Sequence, residues 1–215
     1  MFYDIQIKND QLMSSICDNA PLNEIKKHVH SGADGSDPDA LCFLIRTVPC
    51  SNRLEKVVYL VEHCGADVNE TDRFGKTPLM YAFSVGIANY LLSRGADTLA
   101  EDYRGKTVLM YLLEHLHAKE KGRADVFDTI LSKGSNPFHT DIDGNSALSI
   151  LRKNKRYFSG GFVCAFEKYL FEMKRIEERY KQIFNVPMTI KSKRGYFSEL
   201  YSYVSCFYST LPTLQ

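Results

Sequence analysis

Apolar residues in this chain gather into short stripes at helical spacing, cut at near-regular intervals by glycine. Leu12, Met13, Ile16 and Cys17 form one stripe, and Leu22, Ile25 and Val29 form another after Pro21. Leu54, Val57, Val58 and Val61 follow, then Ile87, Tyr90 and Leu91. Recurrence at three and four residues predicts amphipathic helices. Each is too short to persist alone in water, so its apolar face must be covered by a neighbouring helix. One later stripe is longer: Phe162, Phe166, Tyr169, Leu170, Met173, Ile176, Tyr180 and Ile183 predict a helix from Phe162 to about Phe184, after a break at Ser159-Gly160-Gly161.

The polar punctuation between stripes repeats. Gly-Ala-Asp occurs at 32–34, 65–67 and 95–97, with Gly134-Ser135-Asn136 as a weaker copy, so the glycines stand 33, 30 and 39 residues apart. Glycine there ends a helix as its C′ residue. A second signal, D-x-x-G-x-[TS], covers Asp72–Thr77, Asp102–Thr107 and Asp141–Ser146. Its Asp and Gly suit a tight turn, and Thr77, Thr107 and Ser146 stand where a helix N-cap belongs. Pro78 follows Thr77, and proline is well tolerated at a first helical position, so Thr77–Ala82 is predicted to open a helix. The unit is turn, short helix, short helix, turn, repeated by stacking.

With these residues the chain resembles the ankyrin-repeat family. The segments DRFGKTPLMYAFSVGIANYLLSRGAD (72–97), DYRGKTVLMYLL (102–113) and EHCGADVNETD (62–72) carry the resemblance, which extends over roughly residues 10–170. It implies an all-α fold: a right-handed α-solenoid of about four to five helix-turn-helix repeats with hairpin-like fingers along one edge. Residues 1–170 are expected to form the array, opened by a degenerate repeat at 9–31. Residues 171–215 are expected to form a helical extension with an aromatic-rich tail.

Departures from the family pattern locate the irregularities. The histidine usual after Pro-Leu is replaced by Met80, Met110 and Ser149, which implies lost hydrogen bonding between repeats. The turn signature of the unit at 35–67 is replaced by Asp37-Pro38-Asp39-Ala40-Leu41. Leu116–Ala124 is an insertion, read either as a loop on a binding face or as a solvated helical extension. Beyond Pro187, a basic cluster (Lys191, Lys193, Arg194) precedes Tyr196, Phe197, Tyr201, Tyr203, Phe207 and Tyr208. That tail either packs its aromatics on the end of the array or docks on a partner or membrane.

Composition narrows the chemistry. Hydrophobic residues are 44% and charged residues 25%, with a formal net charge of +1, so no global field attracts nucleic acid. No apolar run approaches the roughly 18 residues of a membrane span, and Met1–Asp10 lacks the apolar core of a secretion signal. Six scattered cysteines without a C-x-x-C pair suggest reduced thiols and a cytoplasmic setting. His28/His30 and His115/His117 are spaced i, i+2 and do not face each other on a helix, which argues against a helical metal pair. No phosphate loop is present, and no cysteine is marked as an activated nucleophile. The expectation is therefore no enzyme, no cofactor and no metal.

Function is expected at a surface. Carried over from the resemblance, the candidate protein-binding positions are the non-framework residues around each turn. They are Arg73, Phe74 and Lys76, with Thr71, Ser84 and Val85; Tyr103, Arg104, Lys106, Glu114 and His115, with Glu101; and Ile142, Asp143 and Asn145, with Thr140, Lys153 and Asn154. Phe74, Tyr103 and Ile142 occupy the same turn position, or one residue apart, and would form a row. Aromatics and arginine are enriched in interface hot spots. The expected function is a non-catalytic protein-interaction module with a protein partner. In style the array resembles ankyrin proteins that pathogens deploy inside host cells. The alternatives are an adaptor whose tail docks on a membrane, or an enzyme with an unrecognised C-terminal activity.

Overall fold

The computed structural model describes residues 2–46, 52–82, 84–115 and 123–154, together with helical positions 167, 170, 171, 174, 175 and 178. The described elements are helices α1 (Phe2–Cys17), α2 (Leu22–His30), α3 (Pro38–Arg46), α4 (Arg53–His63), a 3-10 turn (Pro78–Tyr81), α5 (Val85–Ser93), α6 (Val108–His115), α7 (Arg123–Ser132) and α8 (Ala147–Lys153). The fold is all-α, as the periodicity requires; the extended pairing among the described residues consists of single bridges, Glu101 with Thr107 and Thr140 with Ser146. The chain divides into two compact units, Met1–Asp97 and Thr98–Gln215.

In the first unit α1 packs on α2 and α3 on α4 within each helical pair, and the 3-10 turn packs on α5. Between pairs, α1 meets α3, α3 meets the 3-10 turn, and α4 meets α5. First helices thus stack on first helices and second on second, burying Ile25, Leu41, Ile45, Leu60, Leu79 and Leu91. In the second unit α6 packs on α8, over a core that includes Leu109, Met110, Val126, Ile130 and Leu151. No single pair has an apolar interior of its own, so the stack is what covers the stripes.

Each residue of Gly-Ala-Asp has a separate task. Gly95 takes φ +85°, a left-handed conformation that a side chain would resist. Its N–H donates to the Leu92 carbonyl (3.2 Å), and that of Ala96 to Leu91 (3.0 Å), which closes the end of α5. Gly32-Ala33 and Gly134-Ser135 repeat this pair of bonds. The second residue is buried in every copy: Ala33, Ala66, Ala96 and Ser135. Serine is tolerated because its hydroxyl donates to the Thr98 carbonyl (2.8 Å). The third residue turns the chain back: Asp34, Asp67 and Asn136 accept from the backbone N–H two residues on, at 2.8–2.9 Å. Within the first unit the side chain of Asn69 links consecutive turns, donating to the Gly95 carbonyl and accepting from the Asp97 N–H (2.7 Å).

Three sequence expectations need correction. Thr77 does not cap with its side chain, and the segment it opens is a single 3-10 turn. Ser84 already starts α5, its hydroxyl accepting from the Ile87 N–H (3.3 Å), so the shortened unit has no length for a full helix. Leu54 is 41% exposed, whereas Lys56 is buried: its Nζ donates to Asn19 Oδ1 (2.9 Å) and its stem covers the core. Val85, a candidate contact position, is buried. Of the expected insertion Leu116–Ala124, residues 116–122 lie outside the described residues, and its last two, Arg123 and Ala124, already belong to α7. The long helix is helical at its described positions, and the tail after Pro187 lies outside them.

The cap positions generate a test. The Thr77 hydroxyl is buried with no hydrogen-bond partner, because in the 3-10 turn the Met80 N–H donates to the Thr77 carbonyl (3.0 Å). Ser146 and Ser149, at the same two positions, bond reciprocally as a capping box. Thr107 Oγ1 accepts from the Met110 N–H (3.4 Å). Thr77→Val is therefore expected to leave stability unchanged or raise it by about 1 kcal/mol, whereas Thr107→Val should cost about 1 kcal/mol. Urea denaturation of the two variants checks the order; a larger loss for Thr77→Val would show that its hydroxyl is bonded.

Candidate functional site

The three turns are built around buried aspartates. Asp72 Oδ1 accepts from the N–H groups of Phe74 (2.9 Å) and Lys76 (3.0 Å), while its own N–H donates to the Lys76 carbonyl. Asp102 does the same with Arg104 (2.9 Å) and Lys106 (2.8 Å), and Asp141 with Asp143 (3.0 Å) and Asn145 (2.8 Å). All three aspartates are buried although they carry charge, which is tolerable only because the carboxylate is so fully bonded. In each turn the glycine takes a positive φ and its N–H returns to the aspartate carbonyl at 2.9 Å.

The second carboxylate oxygen has a partner the sequence reading missed. Tyr81 Oη donates to Asp72 Oδ2 (2.7 Å), and Tyr111 Oη to Asp102 Oδ2 (2.7 Å). Both tyrosines stand nine residues after their aspartate, a spacing that could have been found by aligning the copies. Lys76 and Lys106 lie over the rings of Tyr81 and Tyr111, at 5.3 and 4.8 Å. In the third turn Ile150 replaces tyrosine, and the Asn145 amide donates to both Asp141 oxygens at 3.1–3.2 Å instead. Burial alone would push the Asp141 carboxyl up; the Asn145 and Asp143 donors outweigh it and hold the group below the usual aspartate range.

Adjacent turns of the second unit are stitched together. The Ile142 N–H donates to the Arg104 carbonyl (3.0 Å), and a ring nitrogen of His139 lies 2.8 Å from the Gly105 carbonyl. Arg104 pairs with Asp143 at 2.7 Å, an exposed contact worth little in water. His139 received no specific role in the sequence reading. Its function becomes visible only once turn 141–144 is set against turn 102–105.

The candidate contact residues divide by environment. Phe74, Tyr103 and Ile142 are 52, 76 and 70% exposed. Arg73 is exposed beside Phe74, within 3.9 Å of Asp39. Arg104 and Asp143 engage each other, and Lys106 is paired with Glu114 at 2.6 Å in a half-buried contact. Lys76 is half-buried over Tyr81, and Asn145 is occupied by Asp141. The His115 side chain lies outside the described residues. Burial pushes the Cys42 thiol up to about 12, with Asp72 and Asp39 adding to it, and burial also raises Cys64. Neither is a poised thiolate.

The tyrosine–aspartate bond can be tested twice over. Tyr81→Phe and Tyr111→Phe each leave a buried carboxylate oxygen unpaired and should each cost about 1.5–3 kcal/mol in chemical denaturation. Burial, then the Asp72 contact, raises the Tyr81 hydroxyl pKa above the ordinary tyrosine value of 10.0. The unfolded chain therefore releases this proton first as pH rises. The stabilisation is complete below about pH 10 and falls away above it. Denaturation between pH 9 and 12 should show that loss in the wild type and a smaller one in Tyr81→Phe; equal slopes would mean the hydroxyl is not held by Asp72.

Comparison with known proteins agrees with this geometry. Residues 44–141 match the family model for ankyrin repeats, in three copies. A probable E3 ubiquitin-protein ligase of Oryza sativa subsp. japonica, XBOS34, is 34% identical over 93 residues, which is 41% of this chain and 17% of that protein. The chain therefore spans well under a quarter of that relative's length. The matched segment contains the Asp72 and Asp102 turns and reaches Asp141, so residues 44–141 of the chain carry ankyrin repeats.

Proposed function

We propose that this chain is a non-catalytic protein-interaction module that recognises its partner through the exposed side chains of its finger turns. The observation that carries the reading is the exposure of Phe74, Tyr103 and Ile142, each one or two residues after the aspartate of its turn. Each sits in a turn whose backbone is fixed by a buried carboxylate, so a large apolar side chain is presented at little entropic cost on binding. Single exposed apolar residues are ordinary. Recurrence within the first two residues after each turn aspartate is less easily explained by packing, because packing would have buried them.

The proposal places the module in a cytoplasm, supported by the free thiols of Cys17, Cys42 and Cys64. None of the described helices is long and apolar enough to cross a membrane. The array's degenerate repeats favour a pathogen protein working in a host cell, so a host protein is the expected partner.

The double variant Phe74→Ala/Tyr103→Ala tests the reading. Affinity capture from cytosol with immobilised wild type should retain a partner that the variant loses at least tenfold. The melting temperature should change by no more than about 2 °C, since both side chains face water. Equal capture by the variant would sink the proposal; unfolding would assign the two residues to the scaffold.

A further inference from the structure

Within the first unit, a groove of about 260 Å³ opens between α3 and the turn at Asp72, with Met13 of α1 at its edge. That is room for one large side chain. Its walls are aromatic: Phe43 on α3, Phe74 on the turn, and Tyr81 below them. Cys42 also lines it, as a buried thiol held protonated.

Charge at this groove is unevenly satisfied. Asp72 faces it but is saturated by two backbone N–H groups and the Tyr81 hydroxyl, with Lys76 close by over the Tyr81 ring. Asp39 lies at the rim and meets Arg73 only at 3.9 Å. Arg46 is different. Its guanidinium lies over the rings of Phe43 (5.1 Å) and Tyr81 (5.9 Å), and among the described residues no carboxylate is within ion-pair distance. A guanidinium stacked on aromatic faces keeps its edge N–H groups directed outward, in a fork that fits a carboxylate. Of the charged residues that line the groove, Asp72 is saturated and Asp39 faces Arg73, which leaves the Arg46 guanidinium as the group without a carboxylate among the described residues.

From this we infer that the groove takes an acidic segment of the partner protein, with one aromatic or large apolar side chain seated between Phe43 and Phe74 and a neighbouring carboxylate accepting hydrogen bonds from Arg46. The inference rests on the interaction-module reading and specifies the chemistry of what is bound. The apolar seat supplies contact area, and the uncompensated guanidinium selects the sign of the flanking charge. A basic segment would meet Arg46 and Arg73 and be rejected.

Three amidated decapeptides provide the probe: one phenylalanine flanked by glutamates, the same peptide with lysines for glutamates, and the glutamate peptide with alanine for phenylalanine. Fluorescence-polarisation titration of the full chain should show saturable binding of the first, weakened at least fivefold between 50 and 300 mM salt. The lysine and alanine peptides should bind at least tenfold more weakly. Arg46→Gln, which keeps a planar polar group over the rings, should cost at least tenfold with an unchanged circular dichroism spectrum. Should that variant lose its fold, the salt series and the peptide pair on the wild type still decide. Equal binding of the glutamate and lysine peptides, or no binding of any, overturns the inference. Equal binding of the alanine peptide overturns the aromatic seat. The cytosolic capture separates the two proposals: a partner still retained by Arg46→Gln at full strength removes the groove while leaving the finger surface standing.

Discussion

A buried carboxylate with its oxygens saturated is the interaction on which the rest of this structure depends. Asp72, Asp102 and Asp141 each gather backbone N–H groups two and four residues ahead. The turn that results delivers the chain to its next helix at a set angle. An ionised carboxylate without these donors would be too costly to bury, and an apolar residue in its place would leave the N–H groups without acceptors. The two requirements satisfy one another, which is why the same side chain stands at the same place in every full copy. Stacking then follows. Helices of seven to eleven residues, such as α8 and α4, are held by neighbours whose positions the turns determine.

The copies are not equally well finished. The first two full turns close the second carboxylate oxygen with a tyrosine, and the third closes it with the Asn145 amide. The cap positions differ in the reverse sense. Ser146 and Ser149 satisfy each other, while Thr77 keeps an unpartnered buried hydroxyl. The difference lies in the backbone: Met80 and Met110 are both buried, but the Met80 N–H goes to the Thr77 carbonyl while the Met110 N–H goes to the Thr107 hydroxyl. In the shortened unit Ser84 starts α5 so soon that only one 3-10 turn fits before it.

Much of this was legible beforehand, and the exceptions share a cause. Glycine as a helix terminator and aspartate as a turn former act over a few residues, so their spacing alone located α4, α5 and the turns. The Tyr81–Asp72 bond spans nine residues and forms only when the 3-10 turn folds back, so the local pattern did not single out Tyr81. Lys56 belongs to no apolar stripe, yet its stem fills core and its ammonium finds Asn19, thirty-seven residues away. Leu54 read as core by periodicity and is half exposed at the first turn of α4, which its neighbour does not cover. Periodicity reports which face of a helix is apolar. It carries no information on where the covering partner stops. For the candidate surface, the turn pattern pointed to Phe74, Tyr103 and Ile142 as outward residues; it could not separate them from Lys106 and Asn145, whose bonds to Glu114 and Asp141 exist only in the folded chain.

The same chemistry explains how a rigid scaffold leaves its surface free. The aspartates hold the turns through main-chain N–H groups, so the side chains of the two residues after each aspartate take no part in that hold, whereas the Asn145 amide, four residues on, does. Position by position, the residues after the aspartate are Arg73 and Phe74, Tyr103 and Arg104, Ile142 and Asp143, with no common size or charge. Their backbones are nonetheless superimposable in hydrogen bonding. A side chain released from structural duty can be aromatic and exposed without weakening the fold, and a partner would meet it already ordered. Structural constraint falls on aspartate, glycine and tyrosine; chemical choice falls on the residues between them.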